Sequence, residues 1–387
     1  MISLLSIAVL IAFEPQSTPS IGKASAAPQP QDPAVWKAAE AAHLTNQTQL
    51  TFDEQFIKAG EAYFSADGTR IVFQAIEQPE NGQTPSDFYA MYVADLGVNA
   101  AGRSALTNLQ CISPPHSANT CGWFDASRPN VVIYGSTLVA PSESDAPGYQ
   151  RGTGKYRWQF PPEMCVVEVD LANAKSVAAG TMKPKVIAGD GHGYTAECTT
   201  SRDGKSLLYC TLASGSAAGD LAVKNLTTGQ VTPLVTAQGY DGGPFFSPDE
   251  RQICYRSDRN GDSLLQVFVS DLVRDEKGAI TGATNERQLT ANDHVNWAPY
   301  WHPSGRSLVY ASSEIGHANY EIFSVDAASI GPGATPTRTR ITHADGADVL
   351  PVFNGAATKM MWTSKRGGGN SSQLWIADVV AAPSAKP

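Results

Sequence analysis

With 387 residues, 42% of them hydrophobic and 17% charged, the chain carries enough apolar material for a large core, which excludes disorder over most of its length. A net charge of −9 repels nucleic acid and anionic membrane surfaces, so neither is expected as a partner. The 34 glycines and 25 prolines call for many tight turns, and six cysteines without CxxC spacing argue against a zinc ribbon or a redox motif.

Residues 1–26 resemble a signal peptide: an apolar run, "MISLLSIAVLIAF", leads to the small residues Ala24-Ser25-Ala26-Ala27, where a signal peptidase could cut. About 12 apolar residues fall short of the roughly 20 that span a bilayer, so no stable membrane span is expected after cleavage, and the location is periplasmic or secreted. Residues 27–46 form a linker with a short helix in "DPAVWKAAEAAHL" (32 to 44), which is rich in helix formers and has Pro33 near its start.

From 47 to 380 the chain repeats. "YFSADGTRIVFQA" (63 to 75), "WFDASRPNVVIYGS" (123 to 136), "CTTSRDGKSLLYCT" (198 to 211), "FSPDERQICYRSD" (246 to 258), "YWHPSGRSLVYASS" (300 to 313) and "VFNGAATKMMWTS" (352 to 364) share one order: an aromatic or Thr, a turn, then an apolar strand. A second matching strand follows each, and shorter stretches such as "RQLT" (287 to 290) lie between copies, so a unit holds about four strands. The anchors Phe64, Phe124, Thr200, Phe246, Trp301 and Phe353 recur mostly at about 50 residues, the length of a propeller blade. The expected fold is all-β, a six-bladed β-propeller. The sixth unit ends one strand short at "QLWIADVV", and "QTQLTF" (47 to 52) is the strand that would close it; residues 381–387 are a tail. Cys198 and Cys210 flank a hairpin and either face each other as a disulfide or are two buried small apolar residues.

Phe246-Ser247-Pro248-Asp249 and Ser257-Asp258-Arg259-Asn260-Gly261, with partial matches at Asp67-Gly68, Asp203-Gly204 and Ser304-Gly305, resemble the TolB-like propeller repeat. The resemblance covers about 47 to 380 and implies the fold rather than an activity, since that repeat occurs in proteins of many roles. The family's periplasmic member, which works with a peptidoglycan-associated lipoprotein, also carries an N-terminal α/β domain for which this chain has no room. The repeat is also similar to the propellers of prolyl-oligopeptidase-type peptidases, but no G-x-S-x-G elbow follows here.

In a propeller the loops entering the innermost strands gather around one channel mouth. Counting eight residues back from each anchor gives Phe56, His116, His192, Gln238, Asp293 and Asp345, with His294 and His343 close by. Imidazole and oxygen ligands of this kind suit a divalent metal at the channel mouth; alternatively these residues cap turns and bind water. Oligogalacturonate lyases, similar propellers with a His/Gln-held metal, supply the enzymatic alternative. The second candidate is the long loop of blade two, "PSESDAPGYQRGTGKYRWQFPPEM" (141 to 164), where Tyr149, Arg151, Tyr156, Arg157 and Trp158 mix aromatic faces with cations suited to sugar rings, carboxylates or a protein hot spot. Otherwise the loop folds over its own blade and buries Trp158 and Phe160. Glu61 and Glu197 both lie three residues before their anchors and approach the channel from nonadjacent blades, which argues against a catalytic pair. The functional expectation is an exported noncatalytic scaffold, of the cell envelope or secreted, that binds a protein or acidic polysaccharide on its loop face. The alternative is a metal-dependent polysaccharide lyase.

Overall fold

The computed structural model describes residues 31–80, 82–142, 148–150, 155–157, 160–327, 336–368 and 371–380. The signal-like segment and the tail lie outside the described residues, as do Arg151 and Trp158.

Six four-stranded antiparallel sheets follow one another around a ring. The innermost strands are Phe56–Phe64, Asn119–Phe124, Gly193–Thr200, Asp241–Phe246, Asn296–Trp301 and Asp348–Phe353, and each of the six anchors is the last residue of one. The repeated turn residues explain why each chain segment reverses there. Ser65, Ser201 and Ser247 donate to the carboxylates of Asp67, Asp203 and Asp249 at 2.6 to 2.7 Å. The same serine oxygens accept the backbone N–H groups of Arg70, Ser206 and Gln252, the residues that open the second strand. Gly68 and Gly204 sit in these turns at φ of 73° and 68°, a left-handed conformation that a Cβ disfavours.

Each sheet is buried on both faces by its neighbours. Ile71-Val72-Phe73, Val132-Ile133-Tyr134 and Leu207-Leu208 are therefore all inaccessible to solvent, which accounts for apolar strands without alternation. Five blades bury a polar residue five positions before the anchor: Asn119, Thr195, Asp241, Asn296 and Asp348.

The ring closes as expected, with the strand starting earlier. Leu44–Gln49 pairs antiparallel with Gln373–Val379 and completes blade six in the order closing strand, third, second, first. The ladder begins at Leu44 because that side chain is buried in the blade-six seam; Leu50 and Thr51 still bond Leu374 and Gln373 but lie past the strand's end. The helix spans Pro33–Glu40, capped by the Asp32 carboxylate. It carries Trp36 and Glu40 inward. There the Arg366 guanidinium, fully buried, forms a fork with Glu40 at 3.0 and 3.1 Å and meets Asp348 at 2.5 Å. Trp36, Trp362 and Trp375 surround the same guanidinium, with its centre 4.5 to 5.6 Å from their rings.

Cys198 and Cys210 are not bridged. A register shift between Ala196 and Thr199 sets Cys210 opposite Ala196, so the two cysteines never face each other, and both are buried free thiols. Among the described residues no helix is long and apolar enough to cross a membrane.

Two outcomes follow from the closure. Deleting residues up to 52 should abolish the cooperative thermal transition of the intact chain, and a truncated chain melting at the parent temperature would contradict the closure. Glu40→Ala alone should cost about 3 to 5 kcal/mol in urea denaturation, because it leaves a buried guanidinium short of a partner.

Candidate functional site

Every innermost strand carries the same defect. A bulge breaks its pairing with the second strand three residues before the anchor. The bulged residues Glu61, Cys121, Glu197, Gly243, Ala298 and Leu350 all have φ between 43° and 59°. Five of them are not glycine, and each left-handed backbone costs on the order of 1 kcal/mol, held in place by the ladder on either side. The bulge turns all six residues toward the central channel, where they line one chamber.

Glu197 organises that chamber. Its Oε1 accepts the hydroxyls of Tyr194 at 3.1 Å and Tyr240 at 2.5 Å; its Oε2 accepts the Gly243 N–H at 2.5 Å and a guanidinium N–H of Arg256 at 2.9 Å. Blade four has glycine at its bulge, so its backbone N–H can reach the carboxylate. A Cβ on Gly243 would stand 2.0 Å from the Arg256 guanidinium. Arg256 also donates to the Tyr240 hydroxyl at 3.0 Å. Glu61, 9% exposed, accepts the Thr120 hydroxyl at 3.1 Å and the Tyr63 hydroxyl at 3.3 Å. Burial, reinforced by the Glu197 charge, pushes the Glu61 pKa above the usual carboxylate range, although the Cys121 and Thr120 hydrogen bonds and Arg256 oppose it. Only about 30 Å³ remains open in the chamber, room for a water or two.

Beneath the chamber the residues just before the anchors form an aromatic plug. Tyr63, Trp123, Phe245 and Tyr300 touch pairwise with ring centroids 5.1 to 6.3 Å apart. The axial channel is thus filled by side chains.

At the loop mouth His116, His192, Gln238, Asp293 and Asp345 are all exposed, whereas Phe56 is buried in the core between blades. The backbone N–H of His192 bonds Asp190 within its own turn, and that of Asp345 bonds the Gln31 side chain just before the N-terminal helix. His343 donates its backbone N–H to Glu40. Among the described residues no group of three or more His, Cys, Asp or Glu side chains could hold a metal ion.

The blade-two insertion folds in part as a separate hairpin, Gly148–Gln150 with Lys155–Arg157, whose register sets Tyr149 opposite Tyr156 and Gly148 opposite Arg157. Where the insertion returns, Phe160 packs on Tyr194 and Tyr240, each with a centroid separation of 5.0 Å. Those two tyrosines hold Glu197, so the foot of the insertion rests on the chamber. Sequence reasoning placed Glu61 and Glu197 at the channel but missed Arg256, Tyr194 and Tyr240. The signal available was a glycine at the blade-four position where blades one and three carry glutamate.

The Glu61 carboxyl supplies a test. Its folded pKa lies above its unfolded value of roughly 4.3, so its contribution to stability is complete below that pH and is lost as pH rises through the folded pKa. The permanently neutral Glu61→Gln variant should therefore gain Tm relative to the parent as pH goes from about 5 to about 8. A difference that stays constant over this range would rule out a raised pKa.

No family model matches the chain. An uncharacterized protein of Agrobacterium fabrum is 27% identical over 154 residues, 40% of this chain and 44% of that protein, so the match spans under half of that relative's length. Among solved structures, TolB from Acinetobacter baumannii aligns with a TM-score of 0.51 at 16% identity over 81% of this chain and 64% of its own. A putative TolB from Agrobacterium tumefaciens gives 0.46 at 14% identity over 84% and 91%. An oligogalacturonate lyase from Vibrio parahaemolyticus gives 0.46 at 13% over 86% and 93%. At such identities the likeness concerns the fold. Blade number, closure and repeat turns agree with it, and the chain is a six-bladed β-propeller of the TolB-like fold.

Proposed function

We propose that the protein is an exported, noncatalytic scaffold that binds an acidic polysaccharide or an acidic protein surface at its loop face, in the cell envelope or outside the cell. The observation that carries this reading is the blade-two hairpin. Among the described residues it pairs only with itself, outside the six blades, while Phe160 at its foot packs on Tyr194 and Tyr240. A recognition arm needs such a rigid footing, because loops on a fixed scaffold can vary without loss of the fold. Within and beside the arm, Arg151, Lys155 and Arg157 alternate with Tyr149, Tyr156 and Trp158, a set that pairs with carboxylates and stacks on rings. The noncatalytic part of the reading rests on the chamber. Its carboxylates and guanidinium are engaged with one another and with tyrosine hydroxyls, and little space is left for a substrate.

Polygalacturonate is a suitable probe. The purified protein should bind it with an affinity that falls with added salt, without shortening the chains. Arg157→Ala should weaken binding by about 2 kcal/mol while leaving Tm nearly unchanged, as for a hot-spot residue. Equal binding by parent and variant would count against the arm. Depolymerisation with a stoichiometric divalent metal would replace the scaffold by the lyase. For export, mass spectrometry of the protein from its native host should find a mature N-terminus near residue 27.

A further inference from the structure

The closing seam holds a second arginine–carboxylate pair beside the one built on Arg366. Glu321 opens the third strand of blade five, Glu321–Asp326, and is inaccessible to solvent. Its Oε1 accepts a guanidinium N–H of Arg340 and its Oε2 accepts the Thr342 hydroxyl, both at 2.6 Å. Asp348 is held beside it, because the Asp348 backbone N–H donates to the carbonyl of Tyr320 at 2.8 Å.

The equivalent residues one blade earlier are Gln266, which opens the third strand of blade four, and Asn296, which opens the first strand of blade five. There the Asn296 amide donates to Gln266 Oε1 at 3.0 Å. The neighbouring threonine is common to both places: Thr290 accepts the Val267 N–H as Thr342 accepts the Ile322 N–H. Blade five thus puts two carboxyl groups where blade four has two neutral amides.

Glu40, Asp348 and Glu321 are all buried, and if ionised they set three negative charges against the two positive charges of Arg366 and Arg340. An uncompensated buried charge is expensive, so the group balances in two ways. Either Glu321 is protonated with Glu40 in place, or Glu321 is ionised and Glu40 has left. Glu40 is the member able to leave, since it sits on the N-terminal helix and not in a blade. Burial first, and the Asp348 charge second, raise the Glu321 pKa to about 8 against the opposing Thr342 hydrogen bond and Arg340. The seam's other titratable groups are His43 and His343; burial, Arg340 and His43 lower the His343 pKa, so that imidazole is neutral where Glu321 titrates.

We propose that Glu321 carries a proton while the helix Pro33–Glu40 is docked, and that losing this proton to solvent frees Glu40 from Arg366. The closure of the ring is then a pH-sensitive catch. Its docked state binds the proton more tightly than its undocked state, so docking weakens as pH rises from the undocked pKa to the docked one, about 8, and is constant above it. The catch is independent of the loop-face arm.

Hydrogen exchange of the amides in residues 33–49, compared between the parent and Glu321→Gln at each pH, tests this. Comparison at equal pH removes the chemical rise of exchange with pH, and the Glu61 carboxyl, present in both proteins, cancels. The variant carries the amide found in blade four and has nothing to titrate. Exchange in the parent relative to the variant should climb at least about fivefold between about pH 6 and about pH 8.5 and then level off, while the blade-three strand Ser206–Ala213 keeps a constant ratio. Arg340→Gln takes away the cation that favours the ionised form, so in it the climb should come at higher pH. A flat ratio, or a climb that Arg340→Gln leaves in place, would overturn the proposal. Infrared spectra give a reading that needs no undocking. A protonated-carboxyl band missing from Glu321→Gln should be present in the parent at about pH 6.5 and vanish near the pKa of about 8; its absence at the lower pH would equally overturn the proposal.

Discussion

A ring of sheets is stable only if its first and last members are joined, and here one buried cation sits at that seam. Arg366 belongs to blade six, Glu40 to the helix that precedes the closing strand, and Asp348 to the first strand of blade six. Two carboxylates around one guanidinium leave the group formally acidic, and three indole rings screen it from water. Taking these charges out of water is expensive, so the arrangement is a poor source of raw stability. What it supplies is registration, since only the correctly placed helix satisfies the guanidinium, and the strand that follows is thereby set in its place on Gln373–Val379.

The same pairing logic recurs in blade four, where Arg259 bonds Ser257 and Asp241 as Arg366 bonds Ser364 and Asp348. Each arginine stands two residues beyond the end of a second strand and clamps the carboxylate that opens the first. The repeat is thus a set of hydrogen-bonding duties more than a set of identities. Asn119 and Asn296 fill the position of that carboxylate in blades two and five, and in them the side-chain amide bonds backbone carbonyls instead.

Against that regular frame, the six bulged residues at the channel are where the blades differ. A bulge frees one side chain per blade from the sheet and points it at the axis, so the chemistry of the channel is a choice of six residues. Glutamate in blades one and three, glycine in blade four and apolar residues in blades five and six give an asymmetric chamber. Its polar half gathers around Arg256. The network ties blade three to blade four and supports the foot of the insertion from blade two. Loop-face variation is in this way coupled to the interior through Phe160 and two tyrosines.

Blade count, strand order and the need for a strand from the other end of the chain were legible in the sequence. They depend on local chemistry: a polar turn after each of the six anchors, serine–aspartate in three blades as at Ser247-Pro248-Asp249, an apolar run after each turn, and a missing partner after Gln373–Val379. Counting along the chain also placed Glu61 and Glu197 at the axis, because they share an offset from their anchors. It did not reveal that Arg256, from the second strand of blade four, would meet Glu197, or that Arg366 would meet Glu40 across 326 residues. Nor did it separate Cys198 from Cys210, since one inserted residue at a bulge changes which side chains stand opposite. Contacts of this kind depend on the angle between blades and the closure of the ring, which no local pattern encodes. The sequence by itself therefore determined the architecture, through short-range hydrogen bonding and burial, while the tertiary structure decided which distant charges and rings share a space.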